Sequence, residues 1–538
     1  MESLIKAVED DGVKVLKPGN KEYEYAPRNT AQVQAVVREA KARKRRLTIK
    51  NGGHSYAGSS TTDGGILLDL SRMKRVTLDM EAGAEEVTLQ GGARWSHAHK
   101  ALVDEGQNDW VINGGRCPMV GVSGFVLGGG LSPFTRSFGM GCDTLLEATI
   151  VTADGRKVTV TSKDDRNKDK GKLFWALCGA GGGNFGVVVE LKMRLQKLAG
   201  KNVVAGLFVW APKPNAMSAF METMVDFYTA KWPNRTTIDS LWLCNLDDAK
   251  LELKVRFPIS HNGDKAEFDA TIDKYIKNRE LAKQLKLRSA AEPTLSSATG
   301  KYRIYTSVVL NNDRATITKV TTLIRKEMAG FRDRFTGEEG LQQVTWIHTG
   351  GEANRKKTAS TTAFPWRTCA YHTYAMLDWK EKWLTRSMKG FLKKMKTELR
   401  EYSIEGRAAF INFPDGELKA HEEAYFGSNA EALREVKKKW DADYFFKWRQ
   451  GVGLPSKPQV LRAAPQAASV SAPSAEATTP GATPVPALVA GGNTDEAEEG
   501  VEEDDEADDY VVDKVPMAAT ARNQYEGGGA LSLLDLGF

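Results

Sequence analysis

Residues 49–60, Ile-Lys-Asn-Gly-Gly-His-Ser-Tyr-Ala-Gly-Ser-Ser, decide how this chain is expected to fold. An apolar alternation typical of a strand leads into them and then breaks into glycines, as happens before a tight anion-binding loop. Because glycine has no Cβ, Gly52, Gly53 and Gly58 allow backbone N–H groups to turn toward one point, as a diphosphate requires. His54 lies inside this loop.

A second glycine-rich stretch runs from residue 114 to 130 and contains Cys117. Pro118 biases the cysteine toward extended geometry and so holds its side chain in a fixed direction. Taken singly, His54 suits an ordinary surface loop, and Cys117 suits a buried, inert thiol. Taken together, a histidine and a cysteine in two glycine-rich loops indicate two anchors on one ligand.

The two loops resemble those of the FAD-linked oxidases of the vanillyl-alcohol oxidase (PCMH-type) superfamily, in the berberine-bridge-like branch with a doubly attached flavin. The resemblance continues in order from about residue 25 to residue 453, which is stronger evidence than a lone glycine loop. It implies a bicovalent FAD, with His54 bonded to the 8α-methyl carbon and Cys117 to ring carbon C6. The further segments that carry it are 121–143, 173–190, 362–367, 412–415 and 424–429.

The expected fold is α+β, because 538 residues are too many for one core and the texture changes along the chain. Residues 1–200 are expected to form a two-part PCMH-type FAD-binding domain. Residues 201–405 are expected to form a substrate domain whose antiparallel sheet is backed by helices. Residues 406–454 are expected to be a berberine-like module that returns to the flavin domain. The Pro/Ala-rich and then acidic tail, 455–538, is predicted to be disordered, because it cannot bury enough apolar surface.

Hydrophobic periodicity predicts the individual elements. Strands are predicted at 67–70, 86–90, 148–151, 203–209, 240–246, 251–257 and 303–309. Helices are predicted at 31–43, 95–102, 216–228 and 379–399, with another starting at 172.

The charge distribution bears on possible partners. The formal net charge is +6, yet residues 495–513 hold twelve acidic residues and no basic one. The basic run at 41–46 is a candidate for nucleic-acid binding, but it ends a predicted helix, and a solvated helix C-terminus is favoured. We therefore expect a small-molecule substrate and no nucleic acid. The acidic tail and the apolar segment at 527–538 are candidates for docking a protein, or have no specific partner.

Several features bear on location. No apolar run is long enough to span a bilayer, and the first residues are acidic and lack a signal-peptide core. Five cysteines, an odd number, do not form a disulfide framework. We expect an intracellular, cytoplasmic protein without a membrane partner, although many proteins of the resembled family are secreted and a misassigned start would hide a signal.

The resemblance also implies further cofactor contacts. A second glycine run, 182–187, is expected to contact the cofactor. The alternative is a structural turn between a helix and a strand. The run does not give the Gly-x-Gly-x-x-Gly pattern with a later acid, so nicotinamide is not predicted. Neither a paired-cysteine motif nor a His/Cys cluster suggests a metal, and Cys142, Cys178, Cys244 and Cys369 are expected in the core. The predicted cofactor-binding residues besides His54 and Cys117 are Gly52, Gly53, Ser55, Gly58, Val122, Gly182, Asn184, Val187 and Asn412.

Val120 falls where the family places the residue that lines the approach of dioxygen to the flavin. A valine resembles oxidases, whereas a bulkier leucine or isoleucine resembles dehydrogenases. The resemblance therefore favours an oxidase that makes hydrogen peroxide. The alternative is a core valine without kinetic consequence.

The catalytic base is where the sequence departs from the family, which commonly has Tyr-x-Asn before its Pro-Asp turn. Here Phe410 replaces the tyrosine and cannot take a proton, while Asn412 is retained. By alignment on the 362–367 segment, His372 is the candidate base, because imidazole titrates near neutral pH. The candidate catalytic residues of this strand are thus His372, Tyr371 and Tyr374, of which His372 and Tyr374 share one face and Tyr371 lies on the other. The alternative is a solvated strand histidine.

These features predict an FAD-dependent enzyme that transfers a hydride from an alcohol, a sugar hemiacetal or a secondary-metabolite scaffold to flavin N5 and is reoxidised by dioxygen. Phe410 makes carbohydrate oxidation less favoured than a natural-product reaction. A dehydrogenase with another electron acceptor is one alternative. The other is a flavin-binding protein without turnover that acts through its acidic tail.

Overall fold

The computed structural model describes residues 14–15, 24–62, 65–81, 83–200, 203–248, 253–287, 302–355, 357–358 and 360–455. The tail was predicted to be disordered, and its residues from 456 onward lie outside the described part of the chain. Across the described residues, none of the helices combines the length and apolar character needed to cross a membrane.

The first strands form a small sheet with the order β1-β2-β4-β3, in which β2 and β3 each run parallel to β4. The predicted helix at 31–43 is confirmed as α1, whose apolar face packs on this sheet. Lys41 pairs with Asp443, and Arg43 with Glu39, so the basic run is a solvated helix end, as favoured. The elements are β1 Lys14–Val15, β2 Glu24–Ala26, α1 Thr30–Ala42, β3 Leu47–Lys50 and β4 Ile66–Asp69.

A second, antiparallel sheet follows with the order β5-β6-β10-β8-β9, and β7 pairs separately with β11. The predicted strands at 86–90 and 148–151 are confirmed in β6 and β8. The helix expected to start at 172 begins earlier, at an acidic first turn, and ends at Leu177. The elements are β5 Val76–Asp79, β6 Glu86–Gln90, α2 Trp95–Asp104, β7 Trp110–Val111, α3 Val122–Leu127, α4 Thr135–Phe138, β8 Leu145–Val151, β9 Lys157–Thr161, α5 Asp169–Leu177, β10 Val187–Arg194 and β11 Gln196–Lys197.

The third sheet has seven antiparallel strands in the order β12-β15-β14-β17-β18-β16, with β13 beside β15. Its strands and helices are β12 Val204–Trp210, α6 Met217–Thr229, β13 Thr236–Ile238, β14 Ser240–Asn245, β15 Lys254–His261, α7 Lys265–Tyr275, α8 Arg279–Leu287, β16 Tyr302–Val309, α9 Arg314–Arg334, β17 Gly340–His348, α10 Glu352–Arg355, β18 Tyr371–Trp379 and α11 Thr385–Arg400. The last helices are α12 His421–Phe426 and α13 Ala430–Trp440.

Two predictions for this sheet need correction. The helix predicted over 379–399 is wrong at its start, because Trp379 ends β18, where it pairs with Tyr302 and Gly340, and α11 begins only at Thr385. The strand predicted over 251–257 lies further along, as β15. The α+β class, with an antiparallel sheet backed by helices, is confirmed.

The third sheet has two different faces. One packs on α6, α9 and α11 through a core that includes Trp242, Trp346 and Tyr371. The other contributes Val309 and Ile347 to the core of the second sheet, which α12 and α13 also join. Arg136 of α4 ties these regions together by donating to the carbonyls of Trp232, Thr236 and Thr349 at 2.6, 2.8 and 2.5 Å.

Candidate active site

The structure brings the two glycine-rich loops into contact. The first connects β3 to β4, and the second precedes α3. A Cβ placed on Gly52 would lie 2.4 Å from the backbone nitrogen of Gly121, and one on Gly121 would lie 1.4 Å from Asn51 Oδ1. The backbones can approach so closely because both positions lack a side chain. The predicted convergence of the two loops is therefore present.

The first loop has the character of an anion cradle. Gly53 and Gly58 adopt positive φ angles of 73° and 69°, which turn the backbone sharply. Among the described residues, the backbone N–H groups of residues 53–57 donate no hydrogen bond, and the next donor is Gly58, to the carbonyl of Ser55 at 3.2 Å. Consecutive unpartnered N–H groups are what a diphosphate requires.

His54 and Cys117 are both accessible on these loops. His54 is exposed, and Cys117 is the one cysteine in the described residues that is not fully buried. Partial desolvation and then the nearby Arg94 cation lower the pKa of His54, which favours its neutral, nucleophilic form. Both side chains therefore meet the chemical requirement for bonding to an electron-poor ring.

The other cysteines are core residues, as predicted. Cys142, Cys178, Cys244 and Cys369 are buried. Burial raises the pKa of the Cys178 and Cys369 thiols to about 12, so they stay protonated and unreactive. Within the described residues, no group of three or more potential ligands is arranged to hold a metal ion.

Three further predicted cofactor residues lie at the loops or their rim. The Ser55 hydroxyl accepts from the Ser59 hydroxyl at 2.7 Å, which stabilises the first loop. Gly182 is half-exposed. Asn412 donates to the carbonyl of Phe125 at 2.9 Å and abuts Gly128, so the C-terminal module reaches α3 at this point.

Three other predicted cofactor residues have side chains that are committed to the core. Val122 and Val187 have completely buried side chains, and the Val122 N–H donates to the carbonyl of Ala93. The amide of Asn184 donates to the carbonyl of Ala180 at 2.8 Å and accepts from the N–H of Val452 at 3.0 Å. Cofactor contact at these three positions therefore stays a prediction, one that involves the backbone and not the side chains.

Val120 is half-buried beside the second loop. Its N–H donates to the carbonyl of Cys117 at 3.2 Å, and its carbonyl accepts from Trp95 at 3.1 Å. These bonds hold Val120 at a fixed place next to Cys117.

The predicted facing of β18 agrees with the structure, but two of its candidate residues do not serve as predicted. Tyr371 is buried on the helix side, stacked on His348 with a ring distance of 4.7 Å, and so lies away from the loops. His372 lies on the opposite face together with Tyr374. Of these candidates, Tyr374 is partly exposed.

The reason for choosing His372 as the base is wrong. Its side chain is 2% exposed, and its Nε2 lies 3.1 Å from the Cys369 sulfur. Burial and then the Arg367 cation lower the pKa of His372 to about 3. The residue is therefore neither a solvated histidine nor one that titrates near neutral pH, and an imidazole with so low a pKa is a weak base.

Phe410 lies directly beside His372, with a ring distance of 4.9 Å, and is itself buried. Its backbone N–H donates to the Ser307 hydroxyl at 3.1 Å, which fixes this segment on β16. The position that a tyrosine occupies in the resembled family thus carries an apolar ring that packs into the core.

An aromatic cluster beside the loops was not predicted from the sequence. Tyr56, two residues after His54, stacks on Tyr305 with a ring distance of 3.8 Å and an interplanar angle of 8°. Tyr374 stacks on Phe413 at 4.4 Å, and Phe413 lies 5.6 Å from Tyr56. The signal was available: Tyr56 belongs to the first glycine loop, and Tyr305 lies on a predicted strand.

Arg303 lies at the edge of this aromatic cluster and donates hydrogen bonds there. Its Nη1 donates to the Tyr305 hydroxyl at 3.3 Å, while its Nε donates to the buried Asp378 carboxylate at 3.0 Å. Burial raises the pKa of Tyr374, and the nearby Thr345 hydroxyl partly offsets that rise. Gln343 donates to the Tyr374 hydroxyl at 3.4 Å, and a donor at this oxygen also favours its phenolate form.

Comparison with known proteins identifies the cofactor of this domain. Residues 22–161 match the family model described as FAD binding domain, and residues 409–453 match the one described as Berberine and berberine like. The chain is 27% identical over 466 residues to the FAD-linked oxidoreductase ZEB1 of Gibberella zeae, across 80% of this chain and 76% of that protein. FAD is therefore the cofactor of the domain that contains both glycine loops.

Solved structures share the fold. Glucooligosaccharide oxidase from Acremonium strictum, whose flavin is a 6-S-cysteinyl, 8α-N1-histidyl FAD, superposes with a TM-score of 0.69 at 19% identity, over 85% of this chain and 100% of that chain. Berberine bridge enzyme from Eschscholzia californica superposes with a TM-score of 0.68 at 17% identity, over 84% of this chain and 99% of that chain.

Proposed function

Since this chain belongs to the PCMH-type flavoproteins with a berberine-like C-terminal module, and is an FAD-linked oxidoreductase, we propose that it is an oxidase with a doubly attached FAD. The observation that carries the proposal is the contact between two glycine loops, one with unpartnered N–H groups and accessible His54, the other with the accessible Cys117. FAD, when bound, accepts a hydride from a substrate carbon.

Covalent attachment uses the two accessible side chains. His54 would hold a bound FAD at its 8α-methyl carbon and Cys117 would hold it at ring carbon C6, each replacing one hydrogen. For each bond, the imidazole or thiol proton and the replaced hydrogen would leave as two protons and two electrons, which dioxygen would accept to give hydrogen peroxide. The attachment of the same two residue types in glucooligosaccharide oxidase supports this assignment.

The substrate proton passes to the phenolate form of Tyr374, which arises when the phenol first releases its own proton to solvent. Among the residues predicted from the sequence, it is the one on the loop-facing side of β18 that is partly exposed and carries a hydroxyl. His372 is sealed under Phe410, and Tyr371 faces the helices. Because burial raises the pKa of Tyr374, proton transfer to it becomes faster as the pH rises.

The aromatic cluster favours a substrate with a flat or ring-shaped body that bears a hydroxyl group. Tyr56, Tyr305, Tyr374 and Phe413 offer stacking surface, and Arg303 adds a hydrogen-bonding cation at its edge. Alcohols and sugars both fit this chemistry. The half-buried Val120 beside Cys117 supports dioxygen as the electron acceptor over another acceptor.

The experiment uses the full-length protein, denatured in acid, with flavin absorbance and fluorescence read from the pellet. We expect yellow pellets from the wild type, His54→Ala and Cys117→Ala, and a colourless pellet from the double variant. Cys369→Ala, which removes a buried thiol, is the matched control and should keep its flavin. Flavin released from the wild type into the supernatant would contradict covalent attachment.

A second candidate, a flavin protein without turnover that acts through its acidic tail, is favoured by one observation: Phe410 removes the hydroxyl of the resembled family. A screen for peroxide release with aromatic alcohols, sugars and alkaloid-like amines separates the two functions. Peroxide release with any of them supports the oxidase. A flavin-loaded protein that reduces neither dioxygen nor an artificial acceptor supports the second candidate.

A further inference from the structure

The second glycine loop is tied to the third sheet by Arg116, the residue that immediately precedes Cys117. Its Nη2 lies 2.6 Å from the Asp239 carboxylate, and its Nη1 donates to the carbonyl of Leu131 at 2.7 Å. The guanidinium is thus held from two sides. One of these two partners belongs to the third sheet, because Asp239 connects β13 to β14.

Asp239 is itself immobile. Its side chain is 4% exposed. The backbone N–H donates to the carbonyl of Pro258 at 3.0 Å, and Oδ1 accepts from the N–H of His348 at 2.9 Å. Asp239 therefore cannot follow the loop, and any displacement of Arg116 would leave a buried carboxylate without its counter-charge, which is costly.

The loop has few other restraints at this point. Within the described residues, the backbone N–H groups of residues 115–117 donate no hydrogen bond. The preceding glycines pack on Trp95, and the carbonyl of Pro118 accepts from Ser96 at 2.9 Å, so both ends are held. Between these ends, the carbonyl of Cys117 accepts from the N–H of Val120, and the Arg116 side chain supplies the restraint that reaches the third sheet.

The orientation of Arg116 restricts that of Cys117. The two residues are adjacent at a bend that leads into a turn, in which the N–H of Val120 donates to the carbonyl of Cys117 at 3.2 Å. Holding the Arg116 guanidinium at the third sheet therefore limits how the backbone that carries Cys117 can rotate, and the Cys117 thiol lies near Tyr56 of the first glycine loop.

We propose that the ion pair between Arg116 and Asp239 positions Cys117 for its bond to the flavin, so that both are positioning residues of cofactor attachment. The proposal rests on the doubly attached FAD proposed above. The new step is that one of the two covalent bonds, the one to Cys117, needs a contact between the second glycine loop and the third sheet. Without that contact the bond to His54 is still expected to form, because the hydrogen bond and ion pair of Arg116 in the described residues reach Leu131 and Asp239 and not the first loop.

The test is the Asp239→Asn variant of the full-length holoprotein, digested and analysed by mass. We expect the wild type to give one flavin joined to both the His54 and the Cys117 peptides. The variant is expected to give flavin on the His54 peptide alone, with at least a tenfold loss of the doubly joined product. Its denatured flavin should match that of Cys117→Ala in absorbance and fluorescence.

Two comparisons separate positioning from loss of stability. Arg136→Lys weakens another tie between the same regions without touching the second loop, and is expected to lower the unfolding midpoint with both bonds intact. Arg116→Gln replaces Asp239→Asn as the test if the latter does not fold. In Arg116→Gln the Asp239 carboxyl, which has lost its counter-charge, can become neutral by binding a proton. A doubly joined product at the wild-type level in Asp239→Asn overturns the proposal. A wild type that lacks the Cys117 bond overturns the doubly attached FAD itself.

Discussion

Two histidines on facing regions of the molecule show how position decides chemistry. His54 lies on the first glycine loop, exposed and next to unpartnered backbone donors. His372 lies on β18, buried under Phe410 and bonded to the Cys369 thiol. Burial lowers the pKa of both, but to about 3 for His372. The loop histidine is available to react, and the strand histidine belongs to the core.

The cysteines repeat this contrast. Cys117 is accessible on a loop that has few backbone hydrogen bonds, whereas Cys369 is enclosed with His372. The loop region keeps its polar groups unpaired, and the sheet region pairs or buries them. Buried unpaired polar groups carry a free-energy cost, whereas accessible ones are hydrated, so the loop can keep its donors free for a ligand.

The strongest test of the loop region is Gly52→Ala. The new Cβ would lie 2.4 Å from the Gly121 nitrogen, which is backbone and cannot move aside cheaply. We expect the two loops to separate and FAD content to fall below about a tenth of the wild type, measured by absorbance of the purified protein.

Gly124→Ala is the matched control, because nothing lies within 4 Å of the added Cβ on α3. Alanine should favour that helix by about 1 kcal/mol and leave FAD content unchanged. Wild-type FAD content in Gly52→Ala would show that the contact between the loops is not needed for binding.

The sheet region is tested by Tyr374→Phe and His372→Leu. Loss of a positioned proton acceptor is expected to lower kcat/KM about 100-fold in Tyr374→Phe. Because burial raises the pKa of Tyr374 above 10, the wild-type rate should rise with pH through the alkaline range, and that rise should vanish in the variant. His372→Leu is expected to change kcat/KM less than threefold. A large loss of kcat/KM in His372→Leu, with none in Tyr374→Phe, would show that His372 and not Tyr374 is the catalytic base.

The same contrast explains what the sequence could predict. The glycine loops were predictable because close backbone approach permits few residue types, so Gly52 and Gly121 leave a local signature. The strand face shared by His372 and Tyr374 followed from alternation. Alternation does not say how deep each position lies, so the burial of His372 was missed. The Arg116–Asp239 pair joins residues far apart in the chain and left no local pattern.

The depth of three predicted cofactor residues was also missed. Val122 and Val187 each lie beside a glycine motif, so their sequence context is that of a site. Their side chains are completely buried, and a sequence context does not report burial. Asn184 looks polar and therefore functional, yet its amide closes a turn against the C-terminal module.

Phe410→Tyr sharpens the comparison by restoring a hydroxyl to the sheet region. The new group would be buried, and His372 Nδ1, which has no hydrogen-bond partner among the described residues, is available to accept a hydrogen bond from it. We expect turnover to rise about tenfold, less than the 100-fold or more typical of a well-placed general base, because the hydroxyl is buried. In the double variant with Tyr374→Phe, the loss should be smaller than in Tyr374→Phe alone. Additive effects would mean that the two phenols do not share one role.

The smallest effect concerns stability in acid. Because burial lowers the pKa of His372 from 6.5 to about 3, the unfolded chain takes up the proton first as pH falls. The stability contributed by the neutral imidazole is therefore complete above about pH 6.5 and is lost as pH falls toward 3, with a loss of about 3 kcal/mol at pH 4. In His372→Leu the unfolding free energy should depend less steeply on pH in this range. Phe364→Leu, which trims a neighbouring ring without a titrating group, should lower stability equally at pH 4 and pH 7. An unchanged pH slope in His372→Leu would show that His372 is not held neutral by burial and would reopen its role as a base.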